Sequence, residues 1–216
     1  MEDYKGKKVL ITAGPTIEDI DPVRFLSNRS SGKMGLALAE NAHKRGAEVT
    51  LVIGPVPLQI PPGFNCIHVR SAEDMFQAVN REFAGCDIFI ACAAVADYTP
   101  ARKALQKIKK GKGGLNLQLV RTKDILAEMK NKKKVHQKVI GFSVETENLV
   151  ENSTNKLQRK NLDMIIANNP AIKGAAFEGD TNQVEIITKT RHITLPMSSK
   201  SDIADKILDN ILLLEQ

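Results

Sequence analysis

The sequence predicts an α/β fold, a mainly parallel sheet with helices on both faces, extended by a β-hairpin and a lysine-rich flap. Two patterns carry that prediction. Short apolar runs rich in β-branched residues recur along the chain, and segments of helical periodicity separate them. Several runs stop abruptly at Gly-Pro or Asn-Pro, as buried strands do where they enter loops. The 216 residues, 42% of them hydrophobic, are read as one domain spanning 1–216.

Lys8 to Ala13 (KVLITA) opens the series and ends at Gly14-Pro15. Met34 to Arg45 has helical spacing and is closed by Gly46. Glu48 to Ile53 (EVTLVI) is the next strand, followed by a Pro-rich stretch from Pro55 to Gly63. Ala72 to Phe83 reads as a helix and Asp87 to Cys92 as a third strand. Residues 99–118 carry lysines and glycines between two ordered segments and read as a mobile flap. Thr122 to Lys130 is helical, Lys138 to Phe142 (KVIGF) a strand, Leu149 to Lys160 a helix, and Met164 to Ala167 a strand. Val184 to Thr188 and His192 to Leu195 form a hairpin at 184–195, and Ser199 to Leu214 is the last helix. Such alternation gives a Rossmann-like sheet, whose ligands lie at the carboxyl ends of the strands. That rule selects the loops after Gly14, Ala93 and Phe142.

The charge is +6 with a pI near 9.2. Lys103, Lys107, Lys109, Lys110 and Lys112 make one cluster, and Lys130, Lys132, Lys133, Lys134 and Lys138 another. Clusters of this kind suit a polyanion such as a nucleoside triphosphate. The second cluster, where a helix runs into a strand, reads as a solvated face. With seven Phe, two Tyr and no Trp, stacking platforms for nucleic acid are scarce. No apolar run reaches membrane-spanning length and the first residues lack a secretory signal, so a cytoplasmic protein with no membrane partner is expected. Cys66, Cys86 and Cys92 lack metal-ligand spacing and read as buried free thiols. The four histidines are scattered and read as surface or packing residues.

A nicotinamide enzyme is disfavoured. The G-x-G-x-x-G pattern is missing after the first strand, and the second strand ends Leu51-Val52-Ile53-Gly54 without an acid for a ribose hydroxyl. A Walker A loop fails too, since Gly32-Lys33 is followed by Met34.

The insertion after the first strand is more informative. Gly14-Pro15-Thr16, Asp21-Pro22-Val23-Arg24-Phe25 and Ser27-Asn28-Arg29-Ser30-Ser31-Gly32-Lys33-Met34-Gly35 closely resemble the phosphopantothenoylcysteine synthetase family. Ala93 to Tyr98 (AAVADY), Lys107-Ile108-Lys109-Lys110, Gly141 to Thr146 (GFSVET), the basic helix ending Lys156 to Asp163, and Ala167-Asn168 continue the match in order. The resemblance implies a ligase that joins 4′-phosphopantothenate to L-cysteine through an acyl-cytidylate, using CTP and Mg²⁺. It further implies a homodimer, and a flavin-dependent decarboxylase partner encoded separately or elsewhere in a longer protein.

Site residues follow from the same resemblance. Asn28 is expected to bind the acyl-nucleotidylate carbonyl during acyl transfer. Lys107, on the flap, is expected to reach the triphosphate on closure. Ser30, Ser31 and Gly32, at a helix start, offer backbone N–H groups to the substrate phosphate, with simple capping as the alternative. Ala93 and Ala94 permit close approach of the nucleotide. Asp97 holds the phosphates through Mg²⁺ or binds the nucleotide directly. Phe142 meets the base, Lys156 and Lys160 share one helix face toward the triphosphate, and Lys123, Asp124 and Ile125 wrap the nucleotide.

Overall fold

A computed structural model describes residues 2–111, 113–172 and 179–214; Lys112 of the flap cluster lies outside them. The first strand shows how the sheet is built. Val9, Ile11 and Ala13 enter one apolar cluster and Leu10 the other, as the two-residue period of a doubly covered strand requires.

In chain order the first elements are β1 (Lys8–Ala13), β2 (Ile17–Asp19), β3 (Phe25–Ser27), α1 (Lys33–Lys44), β4 (Glu48–Ile53) and β5 (Asn65–His68). There follow α2 (Ala72–Glu82), β6 (Ile88–Ala91), β7 (Tyr98–Pro100), β8 (Leu119–Arg121), α3 (Ile125–Lys132) and β9 (Lys138–Val144). The last are α4 (Leu149–Arg159), β10 (Met164–Asn168), β11 (Thr181–Thr188), β12 (His192–Ser199) and α5 (Lys200–Leu212).

The main sheet has the order β12-β11-β10-β9-β6-β1-β4-β5. Pairings from β5 through β10 are parallel, while β11 and β12 add an antiparallel hairpin at one edge. The chain therefore reverses its winding between β1 and β6, and a crevice opens there at the strands' carboxyl ends. Helices α1 and α5 pack on one face, and α2, α3 and α4 on the other.

The glycine fingerprint missing from the sequence is present in space. Gly14 and Gly32 both have φ near +73°, and a Cβ on Gly32 would lie 3.4 Å from the Gly14 Cα. A Cβ on Gly35 would lie 2.5 Å from that of Ala13. These are the three tasks of a dinucleotide fingerprint: a tight turn, close backbone approach, and a helix pressed onto its strand. Here the β2–β3 hairpin separates the first glycine from the other two, so no linear motif records them.

Several boundaries move. The helix expected from Thr122 starts at Ile125, because Asp124 is extended and its carboxylate accepts the Ala127 N–H at 2.9 Å. Thr122 instead donates its hydroxyl to the Ala96 carbonyl at 2.6 Å. Strand β9 runs on to Val144, and the hairpin expected at 184–195 extends over Thr181–Ser199. The segment 99–118 is not a loop throughout: β7 opens it, pairs antiparallel with β8 just beyond it, and leaves 101–118 between them. Inside that loop Ile108 is tied down, its N–H on the Asp21 carboxylate at 3.1 Å and its carbonyl accepting from Arg24 at 2.9 Å. The Arg24 ion pair, followed by the N–H groups of Val23, Ile108 and Arg24, holds the Asp21 carboxyl well below the usual range. Of the three thiols only Cys86 is buried; Cys66 and Cys92 are partly buried, and all three are free. The second lysine cluster is also less solvated than expected, since Lys130 and Lys134 donate to the Arg159 and Ala84 carbonyls and Lys133 pairs with Asp163.

Candidate active site

Loops at the switch point are laced together before any side chain is offered to a ligand. The Ala94 N–H donates to the Gly14 carbonyl at 2.9 Å, and Ala93 N–H to the Thr12 hydroxyl at 3.2 Å. The buried Thr16 hydroxyl accepts from Ala96 N–H at 3.0 Å, while Ser27 donates its hydroxyl to the Thr16 carbonyl at 2.8 Å. That last bond folds the β2–β3 hairpin over the end of β6 and delivers Asn28. The Asn28 carboxamide then donates to the Ala94 and Val95 carbonyls at 3.2 and 3.1 Å.

Two lobes flank the crest of the sheet. One, of about 630 Å³, lies on the α1/α5 face between Asn28, the start of α1, and the ends of β10, β11 and α5. The other, of about 570 Å³, lies over α3 and α4. They share Ala93, Val95, Asp97, Phe142 and Lys156. A group held in one lobe can thus meet a group held in the other only over the ends of β6 and β9.

Lys156 is the cation of that junction. Its ammonium donates to the Phe142 carbonyl at 2.8 Å. Burial lowers its pKa, against the raising influence of Glu145, Asp124 and Asp97. Asp97 is exposed, and its carbonyl accepts the Thr122 N–H at 3.0 Å. Among the described residues no group of three or more His, Cys, Asp or Glu is placed to hold a metal. A single carboxylate completed by phosphate oxygens still suits Mg²⁺, and exposed Asp97, lining both lobes, fits that demand.

Of the residues expected from the sequence, Asn28, Ser30, Ser31, Gly32, Ala93, Ala94, Asp97, Phe142 and Lys156 line the first lobe. Lys123, Asp124, Ile125 and Lys160 line the second. Some of these have structural employment. The Lys123 ammonium pairs with Glu73 at 2.8 Å and lies 4.6 Å from the Phe76 ring centre. Lys160 pairs with Asp124, and Ile125 belongs to the apolar core. At Asp124 burial raises the pKa, but Lys160 and the Ala127 N–H outweigh it and the net direction is down. Lys107 is exposed and lines neither lobe, next to the anchored Ile108.

Other lining residues had no assigned role: Cys92, Asn168, Asn182 and Lys200 in the first lobe, Arg121, Glu145 and Arg159 in the second. Two of them left a local signal. Lys200 is the first residue of α5, where the helix dipole disfavours a cation. Asn182 takes an inward position in β11, in line with Val184 and Ile186. A polar or charged residue set against its local rule points to a site.

Comparison with known proteins shows the family to which this fold belongs. The chain is 49% identical over 214 residues to the coenzyme A biosynthesis bifunctional protein CoaBC of Bacillus subtilis, covering 98% of this chain and 52% of that protein. It is 48% identical over 211 residues to a cysteine/cysteine sulfinic acid decarboxylase of an unknown prokaryotic organism, covering 97% of this chain and 59% of that protein. The chain thus spans little more than half the length of these curated relatives. The crystal structure of the C-terminal domain of a coenzyme A biosynthesis bifunctional protein CoaBC superposes with a TM-score of 0.83 at 42% identity, covering 98% of this chain and 96% of that one. The family profile described as "DNA/pantothenate metabolism flavoprotein C-terminal domain" matches residues 4–214. The chain belongs to that family.

Proposed function

We propose that the chain is a phosphopantothenate–cysteine ligase of coenzyme A biosynthesis. In the first half-reaction the carboxylate of 4′-phosphopantothenate attacks the α-phosphate of CTP, pyrophosphate leaves, and an acyl-cytidylate forms. In the second, the amine of L-cysteine attacks the acyl carbon, CMP leaves, and an amide results. One observation carries this reading: two separate lobes converge on a five-residue floor. Such an arrangement suits a reaction that must bring a carboxylate to a nucleotide phosphate.

The acyl substrate occupies the lobe beside Asn28 and α1, and CTP the lobe over α3 and α4. Lys156 and Lys160 offset the charge of the triphosphate, and Phe142 lies against the base. Magnesium held by Asp97 and phosphate oxygens supplies further charge neutralisation there. Lys107 reaches the phosphates only when the 101–118 segment swings from its Asp21 anchor. Asn28 exchanges one of its two carbonyl acceptors for the acyl oxygen, a trade between hydrogen bonds of similar strength.

A homodimer belongs to the same reading. Tyr98, Leu119 and Val120 on the β7–β8 ribbon are 47%, 42% and 44% exposed, and Val23 and Phe25 are exposed on the hairpin that packs beside it. A second copy would cover this apolar surface. Sedimentation is expected to give a dimer, and Val120→Glu a monomer; a monomeric wild type would sink that part.

Among the described residues no helix is long and apolar enough to cross a membrane, and the three thiols are free, which supports a cytoplasmic site. A flavin-dependent decarboxylase would act on the product. The test is pyrophosphate release from CTP, Mg²⁺ and 4′-phosphopantothenate, with turnover dependent on L-cysteine. Turnover with ATP alone would change only the nucleotide. Release of CO₂ from cysteine without pyrophosphate would overturn the proposal.

A further inference from the structure

Glu145, in the GFSVET segment, lines the second lobe, where a carboxylate is a poor neighbour for a triphosphate. Its bonding points to another use. One carboxylate oxygen accepts the hydroxyl of buried Ser143 at 2.8 Å, and the Glu145 N–H donates to the Asn168 carbonyl at 3.2 Å. Those two bonds fix the residue to the sheet. The other carboxylate oxygen accepts from the carboxamide of Asn152, in α4, at 3.3 Å.

We propose that Glu145 is a positioning residue: through Asn152 it docks α4 on the end of β9, and so keeps the Lys156 ammonium at the junction of the two lobes. The proposal rests on the reading that Lys156 serves the triphosphate in a ligase.

Three features support it. First, α4 has little else to hold it. The helix buries only Ser153 and Leu157. The Ser153 hydroxyl finds no hydrogen-bond partner among the described residues, which costs stability. Asn148, which precedes the helix, has φ of 48° and supplies no side-chain cap. A carboxylate tied to the first turn is favoured by the helix dipole as well.

Second, Asn152, Lys156 and Lys160 recur every four residues and so share one face of α4. Each is tied to the rim of the lobe: Asn152 to Glu145, Lys156 to the Phe142 carbonyl, and Lys160 to Asp124. In the ligase reading the two ammonium groups turn to the phosphates when CTP enters. Of the three ties, the one between Asn152 and Glu145 then holds the helix unchanged.

Third, Glu145 also suits the charge it positions. Burial pushes the Lys156 pKa down and Lys160 adds to that effect; Glu145 is the foremost opponent, ahead of Asp124 and Asp97.

The docking is tested in wild type, Glu145→Gln, Asn152→Ala, Asn152→Gln and the double variant Glu145→Gln/Asn152→Ala. Amide hydrogen exchange in α4 is expected to quicken in Glu145→Gln and Asn152→Ala, while the strands keep their wild-type protection. The kcat for pyrophosphate release should fall in both by roughly 10- to 100-fold, the effect of a displaced group at the reacting centre. KM for 4′-phosphopantothenate should stay within about twofold. The double variant should lose no more than the worse single one, because both changes break one contact. Asn152→Gln, which keeps an amide donor, should restore part of kcat. Glu145→Gln should also move the alkaline limb of the rate to lower pH, since a charge that favours the protonated amine is gone; Asn152→Ala should move it less. Losses that add in the double variant, or unaltered α4 exchange in Glu145→Gln, would overturn the docking. Exchange separates this proposal from the reaction itself. Quicker α4 exchange in both variants of a protein whose wild type releases no pyrophosphate would keep the docking and sink the ligase.

Discussion

Asn28→Asp is expected to release pyrophosphate once per active site and then stop. The Asn28 NH₂ group donates to the Ala94 and Val95 carbonyls, on the rim where the proposed reaction puts the acyl carbon. A carboxylate has no hydrogens to donate. It would be repelled by those two carbonyls and by the oxyanion that forms as cysteine attacks. Removing a donor of this kind costs about 10²- to 10³-fold in the step it serves. The charge that develops in the first half-reaction falls on the triphosphate, in the other lobe, so a burst equal to the enzyme concentration should persist, with acyl-cytidylate recoverable by acid quench. Asn28→Ala, which removes the donor without adding charge, should behave alike with a milder loss. Undiminished amide formation, or a burst lost in step with it, would remove Asn28 from the second half-reaction.

Lys156→Met should have the opposite signature and lose the burst. The ammonium lies on the floor shared by both lobes and donates to the Phe142 carbonyl at 2.8 Å. A methionine keeps much of the stem's bulk but removes the one lysine common to both lobes. Pyrophosphate release is expected to fall by roughly 10²- to 10³-fold. Lys160→Met should lose less, because the Lys160 ammonium is already committed to Asp124. The pH profile is a further readout. Burial lowers the Lys156 pKa and the protonated form is the active one, so the rate falls as pH rises through that lowered pKa. The alkaline limb therefore begins earlier than an exposed lysine would give, and it vanishes in Lys156→Met. A burst of normal rate in the variant would exclude Lys156 from activation of the carboxylate.

Much of the fold was legible because its main strands are apolar runs long enough to show. KVLITA, EVTLVI and MIIA announce themselves by composition. The three-residue strands β2, β3, β7 and β8 do not, since they are set by tertiary contact: the Asp21–Arg24 pair at one hairpin, and the crossing of β7 with β8 at the other. The glycine fingerprint was read as missing for a related reason, because Gly14 and Gly32 meet only after the intervening hairpin folds back. At the candidate site, the linear motifs hold Asn28, Asp97, Phe142 and Lys156, which all line the first lobe, each close to the end of a strand or on a helix facing one. Asn182 and Lys200 belong to no such motif. Their local signal is a conflict between residue and position, and they reach the first lobe only when the sheet brings β11 and α5 beside α1.

The opening residues and the end of α5 meet at the other end of the sheet. Tyr4 donates its hydroxyl to the Leu208 carbonyl at 2.7 Å, and Arg45 grips Asp3 on one side and Asp209 on the other. Asp3, Tyr4 and the last turns of α5 are thus moored at the amino end of β1, whose six residues span about 20 Å to the crevice. The pinned residues lie behind the candidate site rather than at its mouth.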